Sequence, residues 1–93
     1  MYLQQGDVLL KKKEFNLENP VAVDALIHKG ENHQHRLRGE FRYDDKTGML
    51  EVLSPSILYH EEHKDIKIPA GSYQKEIVKE YDHWLEESRE VID

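Results

Sequence analysis

Apolar residues recur along this chain in short alternating or β-branched runs, separated about every ten positions by Gly, Pro, Asn and Asp, a period that predicts strands and turns throughout. Gly6-Asp7 opens a first strand through Val8, Leu9 and Leu10, and Glu18-Asn19-Pro20 closes the loop that follows. Residues 21–28 read as a second strand, or as a short helix if Ala22, Ala25 and Leu26 dominate. The strand is favoured at its end, where Leu26-Ile27-His28 runs into a turn at Lys29-Gly30-Glu31-Asn32. In residues 33–43, His33, His35, Leu37, Gly39, Phe41 and Tyr43 share one strand face, and Gln34, Arg36, Arg38, Glu40 and Arg42 share the other. A hairpin loop at residues 44–48 returns the chain antiparallel through residues 49–53, and Ser54-Pro55-Ser56 reads as a corner before Ile57-Leu58-Tyr59.

Beyond the corner, His60-Glu61-Glu62-His63 suits a turn, because residues three apart share a side there and lie on opposite faces of a strand. Residues 65–69 form a short strand, Pro69-Ala70-Gly71-Ser72 a turn, and residues 73–81 a long strand with Tyr73, Ile77 and Tyr81 on one face. The tail can form a short acidic helix over residues 82–90, carrying Trp84 and Leu85 onto the domain, with Val91-Ile92 as a closing strand. The expectation is an all-β fold, a small barrel occupying residues 1–93 as one domain, with an optional short C-terminal helix.

The length of 93 residues and 38% hydrophobic content suit one small core. Cysteine is absent, so disulfides and thiolate zinc sites are excluded and any metal must be held by nitrogen and oxygen. No apolar run approaches the roughly 20 residues of a membrane span, and the N-terminus lacks the basic and apolar regions of a signal peptide, so a cytoplasmic protein is expected. A net charge of −6 argues against general nucleic-acid binding. Lys11, Lys12 and Lys13 read as a solvated face, whereas Arg36, Arg38 and Arg42 alternate directly beyond a histidine pair. The exposed edges of so small a sheet make a homo-oligomer an open option.

Four of the six histidines fall into two groups, His33-Gln34-His35 and His60-Glu61-Glu62-His63. Imidazole is the commonest metal ligand and titrates near neutrality, so the grouping points to metal binding or proton transfer. Two histidines at i and i+2 stand on one strand face roughly 7 Å apart at the backbone and can reach one ion. His28 and His83 lack a companion at ligand spacing and read as structural or solvent-exposed.

The segment Gly30-Glu31-Asn32-His33-Gln34-His35-Arg36-Leu37-Arg38-Gly39-Glu40 resembles the first cupin motif, a Gly-rich turn, His-x-His and a Glu after three or four residues. Pro69-Ala70-Gly71 is similar to the Pro-x-Gly of the second motif, without its histidine. In this resemblance Glu40 joins the histidines only if Gly39 marks a β-bulge that shifts its parity. The chain also resembles small bacterial and phage proteins that combine Gln5-Gly6-Asp7-Val8-Leu9-Leu10, Gly30-x-x-His33-x-His35-Arg36, His60-Glu61-Glu62-His63 and Pro69-x-Gly71-x-Tyr73. That likeness implies a shared fold and a shared histidine site, and carries no activity with it.

Three uses of the histidines compete. In the first, His33, His35, His60 and His63 ligate Zn²⁺, Fe²⁺, Ni²⁺ or Mn²⁺, with Glu40 or Glu62 as oxygen ligand or base, for hydrolytic or oxygenase chemistry. In the second, one histidine from each group acts as acid or base on a phosphodiester or other nucleotide ligand, with Arg36 or Arg38 stabilising charge, although alternation puts the arginines on the opposite face. In the third, the histidines are structural and the domain is a protein-interaction module.

Overall fold

The computed structural model describes residues 2–30 and 33–78. Among them seven strands form one antiparallel sheet: β1 (Tyr2–Gln5), β2 (Val8–Lys12), β3 (Ala22–Lys29), β4 (Gln34–Asp44), β5 (Met49–Tyr59), β6 (Ile66–Ile68) and β7 (Gly71–Ile77). The spatial order is β1-β2-β7-β5-β4-β3, with β6 also paired to β5. The long β5 lies against β4 on one side and against β7 and then β6 on the other, so the loop between β5 and β6, residues 60–65, emerges beside the start of β4. The expected helix over residues 82–90, the strand at Val91-Ile92 and the extension to Tyr81 lie outside the described residues. No helix among the described residues is long and apolar enough to cross a membrane.

The all-β expectation holds, but the sheet is not closed into a barrel. β1 and β3 are at opposite ends of the strand order and do not pair with each other; the carboxylate of Asp7, in the loop after β1, meets His28 of β3 instead. At the register shift between Leu26 and His28, the Ile27 carbonyl of β3 accepts from Lys75 Nζ of β7 at 2.9 Å and from Tyr43 Oη of β4 at 3.3 Å. Curvature still gathers one core from every strand, made of Leu3, Val8, Leu10, Ile27, Leu37, Phe41, Leu50, Val52, Leu58, Ile68 and Tyr73. Burial of each large side chain contributes on the order of 1.5–3 kcal/mol.

Two elements differ from the sequence-based expectation. Gly6-Asp7 does not open a strand; it is the two-residue loop of a hairpin in which Gln5 pairs with Val8 and Tyr2 with Lys11. Gly6 has φ +57°, a left-handed conformation that glycine adopts without steric cost. β1 escaped the pattern because its buried positions include Gln4 and Gln5, which are 8% and 1% exposed.

The second difference is the corner at Ser54-Pro55-Ser56, which the chain runs straight through as part of β5. Register moves from Arg38↔Ile57 to Glu40↔Ser54 and then to Phe41↔Val52, two successive one-residue shifts. One shift would turn β5 inside out; the second restores parity, so Val52 and Leu58 both face the core. Pro55 sits within this irregular stretch, where a missing N–H is tolerated. Gly39 stands opposite at φ +155°, and a β-carbon there would come within 2.9 Å of Ser56 Cα and closer still to its hydroxyl.

Candidate functional site

β3 and β4 place His28 and His35 opposite one another in register, with ring centroids 5.8 Å apart. The loop after β5 brings in His60, 4.4 Å from His35, and His63, 4.4 Å from His60 and 5.9 Å from His35. His33, in the bend before β4, meets the edge of His60 at 5.6 Å. The four histidines singled out in the sequence therefore share one array, and His28, set aside there, is its fifth member. A hairpin folded about the turn predicted at residues 29–32 would set His28 opposite His33, whereas the register pairs it with His35, so the sequence carried no signal for it.

The N-terminal hairpin loop reaches into this array with three consecutive residues. Gln5 Nε2 donates to the carbonyls of Leu58 at 3.0 Å and Lys64 at 2.9 Å, which leaves its oxygen, Oε1, 2.9 Å from His35 Nδ1. An oxygen only accepts, so this contact needs a proton on His35 Nδ1. The ring of His63 covers Gly6 so closely that a β-carbon there would lie 2.6 Å from its Nε2. Asp7 spans two rings, with Oδ1 3.1 Å from His35 Nε2 and Oδ2 3.1 Å from His28 Nε2. Sequence reasoning misses Gln5 and Asp7 because Gly6-Asp7 reads there as the start of a strand, with no strand before it.

The same donor and acceptor accounting separates the other imidazoles. His60 Nδ1 accepts from the Glu62 backbone N–H at 3.0 Å, which requires an unprotonated nitrogen there. His33 faces carboxylates at both nitrogens, Glu61 at 2.9 Å and Glu62 at 2.8 Å, and can donate to both only with two ring protons. Burial, reinforced by the charge His60 would carry and opposed by Asp7, pushes the His35 pKa down to about 4. Burial and the neighbouring His63 and His33 also lower the pKa of His60, with Glu62 opposing. Where His35 and His60 are neutral, each has a lone pair, as a ligand or a base requires.

The remaining candidates divide. Glu62 is in the array through His33. Glu40 is on the exposed face, where its carboxylate accepts from Ser54 Oγ at 3.3 Å; the register shifts beside it leave its outward parity unchanged, so the bulge proposed at Gly39 does not turn it towards the histidines. Arg36, expected on the opposite face from His33, shares a pocket of about 360 Å³ with it, lined also by Gln34, Tyr59 and Glu61. The period of two fails here because His33 precedes the first residue of β4. The histidine pair divides between that pocket and the interior: the His33 side chain is 28% exposed, against 2% for His35. Arg36 and Arg38 both donate to Asp24, at 3.1 and 3.2 Å, and Arg38 lies over the Tyr59 ring at 4.8 Å.

Among the described residues no three His, Asp or Glu side chains are arranged to hold one metal ion together. A family model matches residues 4–77. The chain belongs to the family described as Domain of unknown function (DUF8820). The DUF8820 match begins in β1 and ends with β7, so it includes all five rings of the array together with Gln5, Gly6 and Asp7. No curated protein and no solved structure matches the chain.

Proposed function

We propose that this domain binds a divalent transition-metal ion, Zn²⁺, Fe²⁺, Ni²⁺ or Mn²⁺, at its imidazole array. The observation that carries the reading is the 3.1 Å approach of His35 Nε2 to Asp7 Oδ1, with the His35 proton engaged on the other nitrogen. Nε2 and Asp7 Oδ1 are held at this distance either by a second ring proton or by a cation in its place, and burial disfavours the doubly protonated ring. Two donors about 2.0–2.1 Å from one ion, at roughly a right angle, are themselves about 3 Å apart. Rotation of His28, His60 or His63, each within one ring contact of His35, supplies a third donor. Two imidazoles and a carboxylate with open positions suit non-haem iron chemistry; three imidazoles and a water suit hydrolysis, with Glu62 as the base.

The test is metal content by mass spectrometry on untagged protein, beside a His33→Ala, His63→Ala double variant and a His35→Ala variant. The expected result is near-stoichiometric metal in the wild type that His35→Ala abolishes and the double variant lowers. Wild-type protein that is metal-free and takes up none of the four ions, Fe²⁺ being offered anaerobically, refutes the reading.

A second reading, metal-free acid and base catalysis on a phosphodiester, is favoured by one pairing. His60 accepts at Nδ1 while His33, 5.6 Å away, has a carboxylate oxygen at each ring nitrogen, and His33 shares its pocket with Arg36. It predicts cleavage of a 2′,3′-cyclic nucleotide in the presence of chelator, lost in both His60→Ala and Arg36→Ala; a chelator-sensitive activity, or none, excludes it.

A further inference from the structure

We infer that Gln5 is the positioning residue of the imidazole array, holding His35 as its Nδ1–H form and so presenting Nε2 to Asp7 as the cation-facing atom. The use of that nitrogen rests on the metal-binding reading; the orientation does not. Gln5 is 1% exposed and both ends of its carboxamide are engaged. Its two N–H groups point at two carbonyls, Leu58 at the end of β5 and Lys64 in the loop beyond it. Turning the amide over would set its oxygen against both carbonyls and its nitrogen against His35, so the environment admits one orientation. Nδ1 of His35 must then donate, so Nε2, facing Asp7 Oδ1, is the nitrogen free to exchange a proton for a cation.

The same amide ties the loop carrying His60 and His63 to the strand before it, because Leu58 and Lys64 bracket those residues. The adjoining Gly6 and Asp7 add a floor for His63 and an acceptor shared by His28 and His35. Metal-binding imidazoles are oriented by a hydrogen bond from the nitrogen that does not bind the metal, and removing that partner lowers affinity about 10- to 100-fold. Gln5 supplies such a partner from a strand otherwise remote from the array in sequence.

The experiment uses the full chain, ¹⁵N-labelled and stripped with chelator, at neutral pH. Long-range ¹H–¹⁵N spectra report which ring nitrogens of His35 carry protons, its signals being assigned by their loss in His35→Asn. Zn²⁺ affinity is measured separately by competition with a chromophoric chelator. Gln5→Glu keeps an acceptor for Nδ1 but loses both donors to the carbonyls; Gln5→Met loses all three bonds. A purely structural Gln5 would be equally missed in both variants. The expected result is a protonated Nδ1 in wild type and Gln5→Glu, its loss from Gln5→Met, and a 10- to 100-fold weaker Zn²⁺ affinity in Gln5→Met alone. An unprotonated Nδ1 in the wild type overturns the assignment of Gln5 whatever the metal result, and this spectrum decides even if Gln5→Met fails to fold. A Gln5→Met protein with wild-type tautomer and affinity overturns it as well. A protonated Nδ1 in a wild type that binds no Zn²⁺ overturns the cation reading and leaves the orientation standing.

Discussion

Acidification should destabilise the metal-free domain well before its carboxylates are protonated, and His35 sets the size of the effect. The ring is 1% exposed, and its pKa is lowered from 6.5 to about 4 by burial first and by neighbouring imidazoles second. The unfolded chain therefore takes up this proton at higher pH than the folded one. Stability is complete above pH about 6.5, declines as pH falls towards 4, and is level in this respect below that. Each unit of difference corresponds to about 1.4 kcal/mol, so the full loss is about 3 kcal/mol, of which about 2 kcal/mol has occurred by pH 5. That is a large share of the 5–15 kcal/mol typical of a small domain. The assay is urea denaturation at pH 7.5 and pH 5.0 in chelator, for wild type and His35→Gln. We predict that wild type loses about 2 kcal/mol more than the variant between the two conditions. Equal losses would refute the reasoning, because the buried imidazole would then not be what the pH change acts on.

Two further substitutions test the geometry. Gly39→Ala forces a left-handed φ on an L-residue and drives its methyl into Ser56, so a loss of more than about 2 kcal/mol is expected by denaturant unfolding; a loss below 1 kcal/mol would mean the β4–β5 irregularity is not held as described. Gly6→Ala should displace the His63 ring, which lies 2.6 Å from the new methyl, and weaken Zn²⁺ uptake while also lowering the melting temperature; unchanged uptake would exclude His63 from the ligand set.

The local pattern of the chain was sufficient for its all-β class, for most of its strands and for the face on which Leu37 and Phe41 are buried, because alternation is a property of the extended backbone itself. The pairing of Asp44 with Met49 is likewise short-range and readable from the turn residues between them. The two histidine groups were visible as residue types at ligand spacing. What they face was not. Gln5 meets His35 across 30 positions and Lys64 across 59, and Asp7 meets His28 across 21. Those meetings depend on how far the sheet curls, which the packing of side chains from all seven strands sets. Parity likewise misled at His33, where the strand had not yet begun, and composition at Pro55, where two register shifts add up to one full strand period and carry β5 through an apparent corner. Residue identity and local period thus determined which groups could do chemistry; only the tertiary structure decided which groups face each nitrogen of His35, because the partners that set a ring's tautomer come from strands far away in the chain.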